Sequence, residues 1–223
     1  MNRLISAGVA WRISLALIAA GSALSLARAD IIVTEGMQPW ETCAACHSLD
    51  GVSVMARFPK LAGQRPGYIA KQVRDFRDGR RQNDRGQMAA IAAEVTDEDL
   101  VKSAAYFASL PSPPPDASLA AESEEWQRGA ALYQGGDAAS GIAKCSSCHD
   151  DAENKRPDAP LLKAQHAAYL AKQLRDWQSG ERYNDRSQTM PAIARKLSER
   201  DISALATFLG SQPRLRRNGE ARQ

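Results

Sequence analysis

Cys43-Ala44-Ala45-Cys46-His47 and its twin Cys145-Ser146-Ser147-Cys148-His149 decide how this chain reads. Cys-x-x-Cys-His is the attachment signature of c-type haem. Two thiols three positions apart on a helical turn can each add to one vinyl group of the same porphyrin. The next residue then offers an imidazole to the iron. All four cysteines lie in these two motifs, so none remains for a disulfide or a catalytic thiol. A thioredoxin-like dithiol does not need the adjacent histidine and would not usually occur twice without a βαβ pattern around it. A single four-cysteine zinc site would have to bridge roughly a hundred residues, against a usual spacer of about 15–20. The duplicated signature predicts two covalently bound haem c groups, one on Cys43 and Cys46 and one on Cys145 and Cys148.

Residues 1–29 read as a cleaved export signal. Arg3 and Arg12 make a basic start, residues 13–26 form an apolar run, and Ala27-Arg28-Ala29 has the small-x-small form of a cleavage site. The run is shorter than the span of about 20 residues that crosses a bilayer. Export suits c-type haem, which is attached outside the cytoplasm. Taking the three arginines of residues 1–29 from the 29 basic residues leaves 26, against 26 acidic ones. The basic balance of the whole chain is then no argument for a nucleic-acid partner, and none is expected. Arg214, Arg216 and Arg217 are the one cationic cluster that could touch an anionic lipid or partner surface; a solvated, frayed tail is the plainer reading.

An internal repeat divides the exported part in two. Tyr68-Ile69-Ala70-Lys71-Gln72-Val73-Arg74-Asp75-Phe76 recurs as Tyr169-Leu170-Ala171-Lys172-Gln173-Leu174-Arg175-Asp176-Trp177, and Asn83-Asp84-Arg85 recurs as Asn184-Asp185-Arg186. The expected plan is a first domain over 30–110, a proline-rich linker over 111–120, a second domain over 121–213 and a basic tail over 214–223. Apolar residues of the repeat recur at helical spacing and predict helices ending near Gly79 and Gly180. Thr96 and Ser198, each followed by acidic residues, predict helix starts. A further helix is expected from about Glu124 to Gln134. The first half has only a short segment ahead of Cys43 in its place, with Trp40 as one candidate to cover the surface. No alternating strand pattern appears, and the class is all-α.

The iron ligands follow from a short inventory. His47 and His149 are the proximal candidates. A second ligand of the electron-transfer kind is commonly methionine. Beyond Met1 the choices are Met37, Met55, Met88 and Met190, and only Met88 and Met190 match in the repeat, each 41 residues after its own histidine. His166 reads as a surface side chain opening a helix, and is the sole histidine available if the second haem were ligated by two histidines. The loops of Pro59 and Pro160 could supply a carbonyl to the histidine Nδ1–H, or hold plain loop prolines. Tyr68/Tyr169, Arg74/Arg175 and Asn83/Asn184 could bond haem propionates, or lie on solvated helix faces.

With Phe58-Pro59-Lys60-Leu61-Ala62-Gly63-Gln64 and the acidic helix starts after the two methionines, these motifs resemble the dihaem cytochrome c4 family across the exported chain. The resemblance implies two class I cytochrome c domains related by a pseudo-twofold axis, haems approaching through their propionate edges, and His/Met ligation. It further implies a periplasmic electron carrier, sometimes membrane-associated, that can feed a terminal oxidase. Two departures stand out: the short start of the first half, and Ala164 where the first half has Gly63. The haem subunit of flavocytochrome c sulfide dehydrogenase is similar at this level.

The expected function is one-electron carriage per haem between redox proteins, without catalysis, because six-coordinate iron offers substrate no open position. The alternative is an electron-accepting subunit of a dehydrogenase whose catalytic chain is separate. A dihaem peroxidase would need one iron open to peroxide, which the matched methionines argue against.

Overall fold

Both Cys-x-x-Cys-His motifs fold as short helical turns. The computed structural model describes residues 36–119, 122–150 and 156–214. The expected signal peptide, the start of the first domain and the tail beyond Arg214 lie outside them. In chain order the helices are α1 (Glu41–His47), α2 (Pro66–Arg77), α3 (Gln87–Glu94), α4 (Asp97–Ser109), α5 (Glu124–Gly135), α6 (Ser146–His149), α7 (Ala167–Ser179), α8 (Thr189–Ala194) and α9 (Glu199–Ser211). No strand occurs among the described residues, apart from a single bridge between Asp137 and Ile142. No helix there is long and apolar enough to cross a membrane.

The repeat is visible in the order of the elements: α1 to α4 correspond to α6 to α9. Pro66 starts α2 where its missing N–H costs nothing. Gly180 closes α7 in the left-handed conformation. Thr96 accepts from the Asp99 amide at the head of α4. Ser198 and Asp201 complete a capping box at the head of α9. The apolar stripes then build two equivalent cores. Ile69, Ala70, Leu100, Ala104 and Phe107 form the first; Leu170, Ala171, Ile202, Ala206 and Leu209 occupy the same repeat positions in the second.

The second core is larger because α5 joins it. Leu132 and Tyr133 of α5 are buried in one cluster with Phe208, and Trp126 meets that ring edge-on at 5.1 Å. Among the described residues the first half has no such helix. Trp40 stands in its place as expected, stacked on Tyr106 with ring centroids 4.4 Å apart and planes 6° from parallel, and packed on the first core.

Residues 111–116 carry no regular structure, yet they are held to both halves. The Lys60 ammonium donates to the Pro114 carbonyl, and the Asp116 amide donates to the Gly210 carbonyl. Ala164 takes φ 57°, like Gly63 at φ 63°. The two amides make matching bonds, Gly63 to the Phe107 carbonyl at 2.9 Å and Ala164 to that of Leu209 at 2.8 Å. The turn is thus preserved without glycine, at a left-handed cost of about 1–2 kcal/mol.

Candidate functional site

His47 and His149 are buried at the ends of their turns. The Nδ1–H of His47 donates to the Pro59 carbonyl at 2.8 Å, and that of His149 donates to the Pro160 carbonyl at 2.8 Å. A carbonyl can only accept, so each ring carries a proton on Nδ1; burial pushes both imidazoles down, which favours the form with a lone pair on Nε2. That is the tautomer a metal-binding histidine needs. The carbonyl reading of the two proline loops is the right one.

Burial raises the Cys43 thiol and pushes the Cys145 thiol up to about 11. A reactive dithiol needs the opposite shift. Cys43 and Cys145 rest on the first and second cores respectively. Aromatic hydroxyls tie each turn to the helices: Tyr106 donates to the Leu49 carbonyl at 2.8 Å, and Tyr133 to that of His149 at 3.2 Å.

Met88 and Met190 are both the second residue of a short helix and both half-buried. Sequence periodicity did not reveal α3 or α8. Each follows a residue in the left-handed region, Gly86 or Gln188, and an aspartate fixes its first turn. Asp84 accepts from the Met88 amide, and Asp185 accepts from that of Met190 at 2.7 Å. These aspartates are the repeated Asn-Asp-Arg element in use. The second loop is one residue longer, and Gln188 absorbs the extra residue.

Where the halves meet, the repeat generates reciprocal bonds. Gln64 donates to the Leu161 carbonyl and accepts from its amide; Gln165 does the same with Lys60. Lys71 donates to the Asn184 carbonyl and Lys172 to that of Asn83, each at 2.8 Å. Asn83 reaches Gln173 and Asp176, while Asn184 reaches Gln72 and Asp75. Arg81 and Arg182 are only 4% and 6% exposed, and among the described residues neither forms an ion pair. Arg81 donates to Asn83, Gln72, Gln173 and Tyr169; Arg182 donates to Asn184, Gln173, Gln72 and Tyr68. Each also lies over an aromatic ring, Phe76 or Trp177.

Arg74 and Arg175 play no part in this cluster. They face Asp97 and Glu199 on exposed surfaces, so the solvated-face reading holds for them. Tyr68, Tyr169, Asn83 and Asn184 do face it. His166 precedes α7 as expected, but its ring is an inter-half tie, with Nε2–H donating to the Ser53 carbonyl at 2.9 Å and lying 3.0 Å from the Ser53 Oγ. Arg214 is not part of a solvated tail. It is buried and donates to the carbonyls of Ala62 and Lys163.

Two buried guanidiniums that form no ion pair among the described residues suit an anionic group, and haem c brings propionates. Together with the two imidazoles held through Nδ1 and the paired cysteines of each turn, the residues present fit that group.

A family model described as cytochrome c oxidase, cbb3-type, subunit III matches residues 124–209. The cytochrome c4 of Pseudomonas aeruginosa is 40% identical over 172 residues, covering 75% of this chain and 82% of that protein. The chain belongs to the cytochrome c4 family. The structure of reduced recombinant cytochrome c4 from Pseudomonas stutzeri superposes with a TM-score of 0.64 at 35% identity, covering 76% of this chain and 92% of that one. A thiosulfate dehydrogenase electron acceptor of Stutzerimonas stutzeri is 37% identical over 171 residues, covering 76% of this chain and 78% of that protein. As a cytochrome c4, the chain is a non-catalytic electron-transfer protein with two haem c groups on tandem cytochrome c domains.

Proposed function

We propose that His47 with Met88, and His149 with Met190, are the axial ligands, and that Cys43, Cys46, Cys145 and Cys148 carry the thioethers. The observation behind this is the matched pair of imidazoles held at 2.8 Å by Pro59 and Pro160, each followed 41 residues later by a methionine whose amide an aspartate fixes. Haem iron so ligated takes up and releases one electron. The chain supplies orientation, burial and hydrogen bonds that set the potential. Domain boundaries at 110 and 121, with a linker between them, complete the plan. Residues 1–29 direct export and are removed, and the protein works in the periplasm between a donor and a terminal oxidase or dehydrogenase. Association with an anionic membrane would fall to residues beyond Arg214, whose guanidinium is already committed.

The absorption band from methionine sulfur on ferric iron, normalised to total haem, tests the ligands. Two ligations per chain are expected, and Met88→Ala or Met190→Ala should each remove one and lower one potential. Two ligations that persist in both variants would refute the assignment.

A second reading, as the electron-accepting subunit of a dehydrogenase, is favoured by the resemblance to the thiosulfate dehydrogenase electron acceptor. It predicts a complex of fixed stoichiometry on size exclusion of native extract; elution as the chain alone would favour the free carrier.

A further inference from the structure

Arg65 lies at the start of α2 in the first half, 7% exposed, yet its guanidinium is spent on the second half. Nη1 donates to the carbonyls of Ala159 at 2.8 Å and Arg156 at 3.0 Å, with a longer contact to that of Cys148 at 3.4 Å. Nη2 donates to the Asp150 carbonyl at 2.8 Å. These acceptors flank both ends of one bond. Cys148 and Asp150 are the neighbours of His149, and Ala159 precedes Pro160, whose carbonyl receives the His149 Nδ1–H. The planar fork of arginine suits such a cross-tie, where lysine offers a compact point charge without the fixed spread of donors.

The first half is braced differently. His166 occupies the repeat position of Arg65 and donates to Ser53, Ser53 donates to the Phe58 carbonyl at 2.6 Å, and Phe58 precedes Pro59. This brace is indirect and touches neither neighbour of His47.

We propose that Arg65 is a positioning residue for the second haem, holding His149 and its acceptor Pro160 in register from across the boundary between halves. Each half thereby orients the other's proximal imidazole, and the two sites differ because one brace is a permanent fork and the other an imidazole. Outer groups that orient a ligating histidine tune the metal and its ligand strength. The inference rests on the ligand assignment proposed above.

The test follows the methionine–ferric band of the full-length holoprotein through a denaturant titration, alongside a spectroelectrochemical titration. In Arg65→Gln, and also in Arg65→Lys, half of the band should vanish at lower denaturant than in the parent protein. The couple that Met190→Ala perturbs should shift while the other stays in place. Lys172→Ala, which removes an inter-half bond to Asn83 that involves neither proximal loop, should leave the two halves of the band together. If both halves of the band shift equally in Arg65→Gln, Arg65 merely docks the halves and the inference fails. Full retention of the second site in Arg65→Lys would also overturn it, because the charge alone would then suffice. Failure of the ligand assignment is separately visible: the parent protein would show fewer than two methionine ligations before any substitution.

Discussion

Arg81 and Arg182 share the same two acceptors. The Gln72 Oε1 receives Arg81 at 2.8 Å and Arg182 at 3.1 Å, and the Gln173 Oε1 receives each of them at 2.9 Å. Each oxygen also takes an asparagine amide from the opposite half. Two guanidiniums this close repel, and each lends the other redundancy. Arg81→Met or Arg182→Met should therefore cost only about 1–2 kcal/mol. The double variant should exceed the sum of the two by roughly 0.5–3 kcal/mol, because repulsion is relieved only once and each shared oxygen is then left with the asparagine amide alone. Denaturant unfolding of the four holoproteins measures this. Strict additivity would show that the two cations act independently.

Asp84 and Asp185 are expected to act on one site each. Asp185 accepts from the amides of Met190 and Ser187, and losing such an aspartate at a helix start costs about 1 kcal/mol. Asp185→Ala should weaken the methionine–ferric band of the second haem against denaturant and spare the first. Asp84→Ala should do the converse. A loss common to both sites in either variant would contradict the local role.

Much of this was readable from residues alone. The duplicated motif, the repeat and the capping signals placed the haem turns, α2, α4, α5, α7 and α9. The first turns of α3 and α8 escaped because these helices are too short for a period to show. Their fixing residue also sits upstream of a left-handed residue, away from the usual cap position. Arg81, Arg182, Gln72, Gln173 and Arg65 were missed for another reason. Polar residues off an apolar stripe read as solvated, and only the second copy of the fold buries them. Arg81 recurring as Arg182 within the repeat was the available signal.

Gly129 lets α5 approach α9 closely. A Cβ there would stand 2.1 Å from the Ala204 carbonyl oxygen and 2.7 Å from the Phe208 Cβ. Neither can yield without moving the helix. Gly129→Ala should cost about 2 kcal/mol or more, outweighing the gain in helix propensity. Gly135 ends the same helix with nothing within 4 Å, and Gly135→Ala should stabilise by up to about 1 kcal/mol. Opposite shifts in thermal midpoint are the expected result. The same sign for both would mean that α5 is not clamped at Gly129.

His166 gives the contact between the halves a pH dependence of definite sign. Burial, and next the Lys60 ammonium, hold its imidazole below the ordinary range, against the opposing pull of the Ser53 bond and Asp116. The neutral form is thus favoured in the folded protein, while the unfolded chain binds a proton near pH 6.5. The stabilisation is complete above that pH and is lost as pH falls through it toward the lower folded value. His166→Gln keeps a donor for Ser53 but cannot titrate. Below about pH 6.5 its stability should fall less steeply than that of the parent protein, by a fraction of a proton. Denaturant unfolding at a series of pH values reads the difference, and identical slopes in both proteins would show that His166 is not a source of the acid sensitivity.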